Sequence, residues 1–474
     1  MTLHLLLARA GDGHPVIDTP LPAESVLGAP LPRALPKPTH LYNLAAEPDS
    51  LREQRWALVV PDNERGRRLE SILAPLCKLR EDQQGAKVAV YRAPVGLDTD
   101  KAREFLEETV RPPSRLVREH ARYVLLAGGP EDLSLTLQEE LTNDGSSFVG
   151  RLAFDREDDY AAYVAKVVAR EGGAARSQKA RAMFLSVQDT SAPVRIGREF
   201  IVEPAVRRCT EARKRGYFPA SGVLREELPQ GSTERLLELA GGPEPSLLFS
   251  LSHGVGGPPS GWTSMEAQRR RQGNMWLGAG AELTSEDVSG RAFLPGGVWF
   301  YFACFGAGTP TLSVYQPWME QLVKDRLMSQ RELEGVLHSR PLDGRPFIAA
   351  LPQAALANPE GPLAVIAHLD LAWILAFHNP RTGQTSVHRL EAVLASLVEG
   401  YRVGLALHTL SHSAGQVEAA LRRQYQADAE ARSAGRTPST DPTEQAQLWM
   451  ERHDVTSYVL LGDPAVRLVD RASR

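Results

Sequence analysis

Two side chains near the middle of the chain could do covalent chemistry together. His253 follows the apolar run Leu247-Leu248-Phe249-Ser250-Leu251 and one serine; Cys304 follows Val298-Trp299-Phe300-Tyr301-Phe302 and one alanine. A thiol becomes a strong nucleophile as the thiolate, and an imidazole can take its proton. The two residues are 51 positions apart (304 − 253), so only the fold can join them. Gly254 lets a substrate carbonyl approach the backbone closely. The N–H groups of Gly254 and Cys304 are then candidate oxyanion donors for acyl transfer. Phe302, Phe305, Gly306, Gly308 and Pro310 supply an apolar wall and a glycine-rich rim. The plainer alternatives are a turn at His253-Gly254 and a packed core thiol at Cys304.

The elements that must position them are short. Apolar runs bounded by glycine read as buried strands of a parallel sheet, whose C-terminal edge is where ligands bind in open α/β folds. The same pattern fills the first third of the chain. Strand-like runs at 56–61, 87–91, 121–130 and 148–153 alternate with helical spacing at 66–80, 101–120 and 159–170. A second alternating unit begins at 182–187 and continues through helical text at 203–215 and 233–240. Long helices are expected at 317–338, 387–410 and 414–434, with apolar runs at 346–351 and 363–368. Such alternation predicts a mostly parallel sheet covered on both faces. The expected organisation is a Pro-rich leader over 1–50, a first α/β unit over 51–172, a linker over 172–180, and a second α/β unit with C-terminal helices over 181–474. Residues 1–9 are expected as a strand or a loose arm, and the Pro-rich part from 11 to about 50 as extended chain on the surface.

Bulk properties narrow the function. The chain has 474 residues, a formal net charge of −4, 42% hydrophobic residues and three cysteines: Cys77, Cys209 and Cys304. Near-balanced charge gives no electrostatic footprint for nucleic acid, and no apolar run reaches membrane-span length. The sparse, odd cysteine count argues against a disulfide framework and for a reducing, cytoplasmic compartment. No cysteine pair has zinc-site spacing, and no glycine pattern marks a serine nucleophile, so neither metal nor cofactor is expected. The arginine-, alanine- and glycine-rich composition fits a GC-rich bacterial genome.

His253-Gly254 and Ala303-Cys304-Phe305-Gly306, each closing an apolar strand, resemble the caspase-like superfamily of cysteine peptidases, in which a His stands roughly 50 residues ahead of an Ala-Cys-x-Gly block. The glutamine of the caspase signature is Phe302 here, and the likeness is closer to the gingipain-type and CHAT-like bacterial branches. Tyr123 to Pro130, Phe148 to Leu152 and Leu461-Gly462-Asp463-Pro464 extend the resemblance over roughly residues 55–470. It implies a caspase-like fold of two adjacent three-layer αβα subdomains and a cysteine endopeptidase. Cys304 would attack the scissile carbonyl, and His253 would protonate the leaving amine. Its partners would be a protein or peptide substrate and a regulatory protein.

In relatives, the loop after the first strand of the catalytic subdomain lines the specificity pocket. Here it carries Asp189, which would favour Arg or Lys substrates, and further on Arg195, which would favour acidic ones. The polar stretch from Gly256 to Gly273 reads as a flap, a self-processing site or a surface loop. Three functions stand side by side: a regulated bacterial protease acting in signalling or defence, an inactive caspase-like scaffold that binds partners, and an unrelated α/β enzyme.

Overall fold

A computed structural model describes residues 2–17, 19–28, 46–116, 119–143, 145–172, 179–379, 383, 385–437 and 440–471. The expected linker falls largely on 173–178, outside the described residues, as does the 29–45 part of the leader.

Ten strands form one sheet: β1 (Trp56–Pro61), β2 (Ala89–Ala93), β3 (Tyr123–Ala127), β4 (Phe148–Leu152), β5 (Arg181–Val187), β6 (Val223–Leu228), β7 (Ser246–Leu251), β8 (Val298–Phe302), β9 (Ala364–His368) and β10 (Tyr458–Gly462). Their order is β2-β1-β3-β4-β10-β9-β8-β7-β5-β6. Every pairing is parallel except β9–β10. The α/β class and the mostly parallel sheet expected from the alternating pattern are therefore present. The two halves are seamed by the last strand, β10, which pairs parallel with β4 and antiparallel with β9. The strands of the first half thus run opposite to β5–β9.

Alternation along each strand explains the layering. In the first half, Trp56, Leu58 and Val60 share a core with Leu69, Leu73 and Leu76 of helix Glu64–Gln84 and with Tyr160, Tyr163 and Val167 of helix Glu157–Gly172. Ala57 and Val59, one residue out of phase, share a separate core with Ala102, Phe105, Leu137 and Leu141. Successive side chains point to opposite faces, so a strand buried on both sides needs helices on both sides. At the seam, a β-carbon on Gly150 would lie 2.2 Å from the Gly462 carbonyl, so β4 and β10 approach closely only with glycine there.

A buried charge cluster ties the seam to the first half. Asp463 accepts hydrogen bonds from Trp56 Nε1 (2.9 Å) and from Arg80 Nη2 (2.7 Å), and Arg80 also pairs with Glu171. All three charged side chains are at most 1% exposed.

Several local expectations are corrected. The N-terminal arm does form short strands, Thr2–Leu3 and Leu7–Arg9, but the described part of the Pro-rich leader does not lie wholly on the surface. Leu3, Leu5, Leu6 and Leu7, ahead of the first proline, and Val16, Ile17 and Leu21, between prolines, are buried, because these side chains are apolar enough to join the core. The stretch after His253 is ordered rather than a loose polar loop. It holds the strand Gly254–Gly256, helix Met265–Arg271 and strand Met275–Gly278, with Gln272 buried and donating to Thr309 Oγ1 (2.7 Å). The helix expected over 317–338 is two, Gln316–Lys324 and Gln330–Leu337; Arg326 takes a left-handed φ of 59° between them, and Ser329 with Glu332 forms a capping box. The apolar run at 346–351 is a two-residue strand leading into helix Ala350–Ala357.

Candidate functional site

β7 and β8 are hydrogen-bonded neighbours in register, Leu247 opposite Val298 through Leu251 opposite Phe302. Both are buried along their whole length. The pairing continues one step beyond, where Ser252 N–H donates to the Phe302 carbonyl at 3.3 Å. His253 and Cys304 therefore leave adjacent strands at the same edge. Gly254 then folds back over position 304: a β-carbon on it would sit 1.9 Å from the Cys304 carbonyl oxygen.

The imidazole is fully buried and oriented through one nitrogen. Nε2 lies 2.9 Å from Ser191 Oγ and 3.6 Å from Asp189 Oδ2. Asp189 is itself held by accepting the Ser191 amide at Oδ1 (2.7 Å). Nδ1 is buried and has no hydrogen-bond partner. Burial draws the His253 pKa down to about 4, against the opposing pull of Asp189. Asp189, read from the sequence as a pocket residue, thus faces the imidazole. Arg195 lies in the exposed turn of helix Ala192–Gly197, and its charge bears on His4.

The thiol of Cys304 is also buried, which pushes its pKa up. It accepts the Ala372 amide at 3.2 Å. Phe305, the next residue, takes a left-handed φ of 56° and donates its N–H to the Asp370 carbonyl at 3.0 Å. The loop carrying Asp370 and Ala372 is anchored in turn by buried Asp454 of helix Pro442–Thr456. Its carboxylate accepts Trp373 N–H at 2.8 Å and Ala376 N–H at 2.7 Å, and contacts His368 Nε2 at 3.3 Å. His368 is accordingly a core histidine that braces this loop. Ser191, Asp370, Ala372 and Asp454 carry no spacing signature in the sequence, because they reach the site from three separate parts of the chain.

Among the described residues, no group of three His, Cys, Asp or Glu side chains is disposed to hold a metal ion, and no helix is long and apolar enough to cross a membrane.

No family model and no curated protein matches the chain by sequence. Solved structures match it by fold. One described as "Structure of Protease" superimposes with a TM-score of 0.51 at 11% identity, covering 88% of this chain and 78% of its own. The Arg-specific cysteine proteinase gingipain R matches with a TM-score of 0.44 at 11% identity over 88% and 78%. The complex of pro- and mature domains of that proteinase from Porphyromonas gingivalis gives 0.45 at 12% over 88% and 80%. The chain shares the α/β fold of the first of these, and the likeness stops at the fold.

Proposed function

We propose that this protein is a cysteine endopeptidase working through His253 and Cys304. The observation that carries the reading is the registered pairing of β7 and β8, which brings an imidazole and a thiol to one sheet edge with a glycine amide beside them. In the reaction, the thiol proton passes to His253 and the sulfur attacks the scissile carbonyl. The oxyanion is held by the amides of Gly254 and Cys304. Collapse forms a thioester and expels the amine, which takes its proton from His253; water then releases the acid and the free thiol. With Nε2 committed to Ser191 and Asp189, Nδ1 is the nitrogen free to move that proton. Asp189 then orients the base and favours the imidazolium as it forms, and it also borders a cavity beside His4 and Leu5.

Three unpaired cysteines fit a reducing cytoplasm, and a fully covered thiol fits an enzyme that is switched on by a signal or a protein partner. The covered thiol also favours a second reading, an inactive scaffold that binds protein partners. Incubation with a pool of unstructured peptides separates the two. Cleavage should be abolished by Cys304→Ala and slowed about 10²–10⁴-fold by His253→Ala. Cleavage that survives Cys304→Ala overturns the mechanism.

A further inference from the structure

Residues 3–9 run across the edge from which His253 and Cys304 leave. Leu7–Arg9 pairs parallel with Gly254–Gly256, Leu7 opposite Gly254, and Leu5 bridges antiparallel to Trp373. Between them, Leu6 is bonded on both sides. Its carbonyl accepts the Gly254 amide at 3.0 Å, and its own N–H donates to the Ala372 carbonyl at 3.4 Å. The first partner is the amide expected to hold an oxyanion. The second is the residue whose N–H reaches the thiol. The Leu6 backbone also bears on both reactive groups, favouring proton gain at His253 and proton loss at Cys304, though burial outweighs it at each.

An extended peptide held by backbone bonds along both edges, with one carbonyl on a glycine amide beside a thiol, is how a strand-added substrate sits. The side chains are seated too. Leu5, Leu6 and Leu7 are at most 3% exposed, and Leu7 lies so close to Gly256 that a β-carbon there would be 2.7 Å from Leu7 Cδ1. Beside the segment, a cavity of about 320 Å³ opens between Leu5, His4, Asp189, Ser191 and Trp276. His253 Nδ1 is buried and makes no hydrogen bond of good geometry.

We propose that residues 3–9 are a built-in occupant of the peptide channel, bound as a substrate would be with Leu6 at the cleavage position, and that they hold the site closed until displaced. This rests on the assignment of Gly254 and Cys304 as oxyanion donor and nucleophile. A tethered occupant competes at high effective concentration, so an incoming peptide binds with an affinity reduced by the fraction of open chains. The channel would accept an extended peptide with an apolar residue where Leu6 sits.

Alkylation by iodoacetamide, read residue by residue by mass spectrometry, tests this on the full chain. Cys304 should be protected in the native protein. Leu7→Asp, which expels the segment, should raise its labelling roughly 30-fold or more, as expected from losing one buried leucine's packing. Buried Cys209 should stay unlabelled, and a synthetic peptide of residues 2–9 added in trans should restore protection. Should Leu7→Asp expose Cys209 as well, Leu7→Ala is used with the same readings. Native Cys304 labelled as fast as in the variant, or Cys304 still protected after the substitution, overturns the proposal. The readout needs no cleavage. Release of Cys304 without peptide hydrolysis would refute the peptidase and keep the occupant; hydrolysis equally fast in both chains would refute the occupant and keep the peptidase.

Discussion

A β-carbon at position 254 would lie 1.9 Å from the carbonyl oxygen of Cys304 and 3.0 Å from its amide nitrogen. The backbone of the residue after the histidine is thus in contact with the backbone of the residue that carries the thiol. Nothing larger than glycine fits without moving one of two adjacent strand ends.

Gly254→Ala should therefore damage the site more than its one added methyl suggests. Overpacking a rigid contact of this kind costs on the order of 1–3 kcal/mol. The unfolding midpoint should fall accordingly, and peptide cleavage should drop by more than the loss of folded protein explains. Chemical denaturation beside a cleavage assay on the folded fraction checks both.

Asp189→Asn tests what the carboxylate does. Because Asp189 Oδ2 is 3.6 Å from His253 Nε2, its loss should slow the chemical step about 10–100-fold, as expected for a group that orients an acid/base residue, and leave KM nearly unchanged. Ranking of basic against apolar substrates should not change. A selective loss of Arg and Lys substrates would return Asp189 to a specificity pocket.

Stability should fall in mild acid. His4 and His253 are both drawn down to about 4 from 6.5, chiefly by burial. The unfolded chain therefore binds more protons than the folded one between pH 6.5 and 4, and stability rises with pH across that window. Above pH 6.5 the contribution is complete; below it, stability is lost until the folded histidines themselves protonate. For His253 the loss is on the order of 3 kcal/mol. The urea midpoint should decline from pH 6.5 to 4, and His253→Gln should flatten the decline.

Asp463→Ala should be strongly destabilising although it is far from any chemistry. It leaves the buried Arg80 with one carboxylate instead of two and removes the acceptor of Trp56 Nε1. Breaking such a buried pair costs about 3–5 kcal/mol. Calorimetry should show a lowered Tm, and the double variant Asp463→Ala with Arg80→Met should recover part of it.

Much of the architecture was legible because it rests on local pattern. β7 and β8 could be read from apolar runs that stop at glycine, and the helix Thr233–Ala240 from its leucine spacing. The split between Gln316–Lys324 and Gln330–Leu337 had a signal too, Ser329 three residues ahead of Glu332, that helical periodicity overrode. Asp189 could be found as a charge on the loop after β5. The direction of its carboxylate could not, since that depends on His253 and on the Ser191 amide. Least legible was the partnership of Leu6 with Gly254, made across nearly 250 positions by backbone atoms alone, which leave no mark in side-chain type.

The seam strand β10 carries a consequence for synthesis. Residues 458–462 are the last of the ten strands to be made, yet they occupy the middle of the sheet. Until they emerge from the ribosome, β4 and β9 each present a bare hydrogen-bonding edge, a template for misassociation with other nascent chains. The helix that braces the Ala372 loop through Asp454 ends just before β10. An incomplete chain would thus lack both its seam and the support under Cys304, so a truncated translation product would be sticky and its Cys304 loop unbraced.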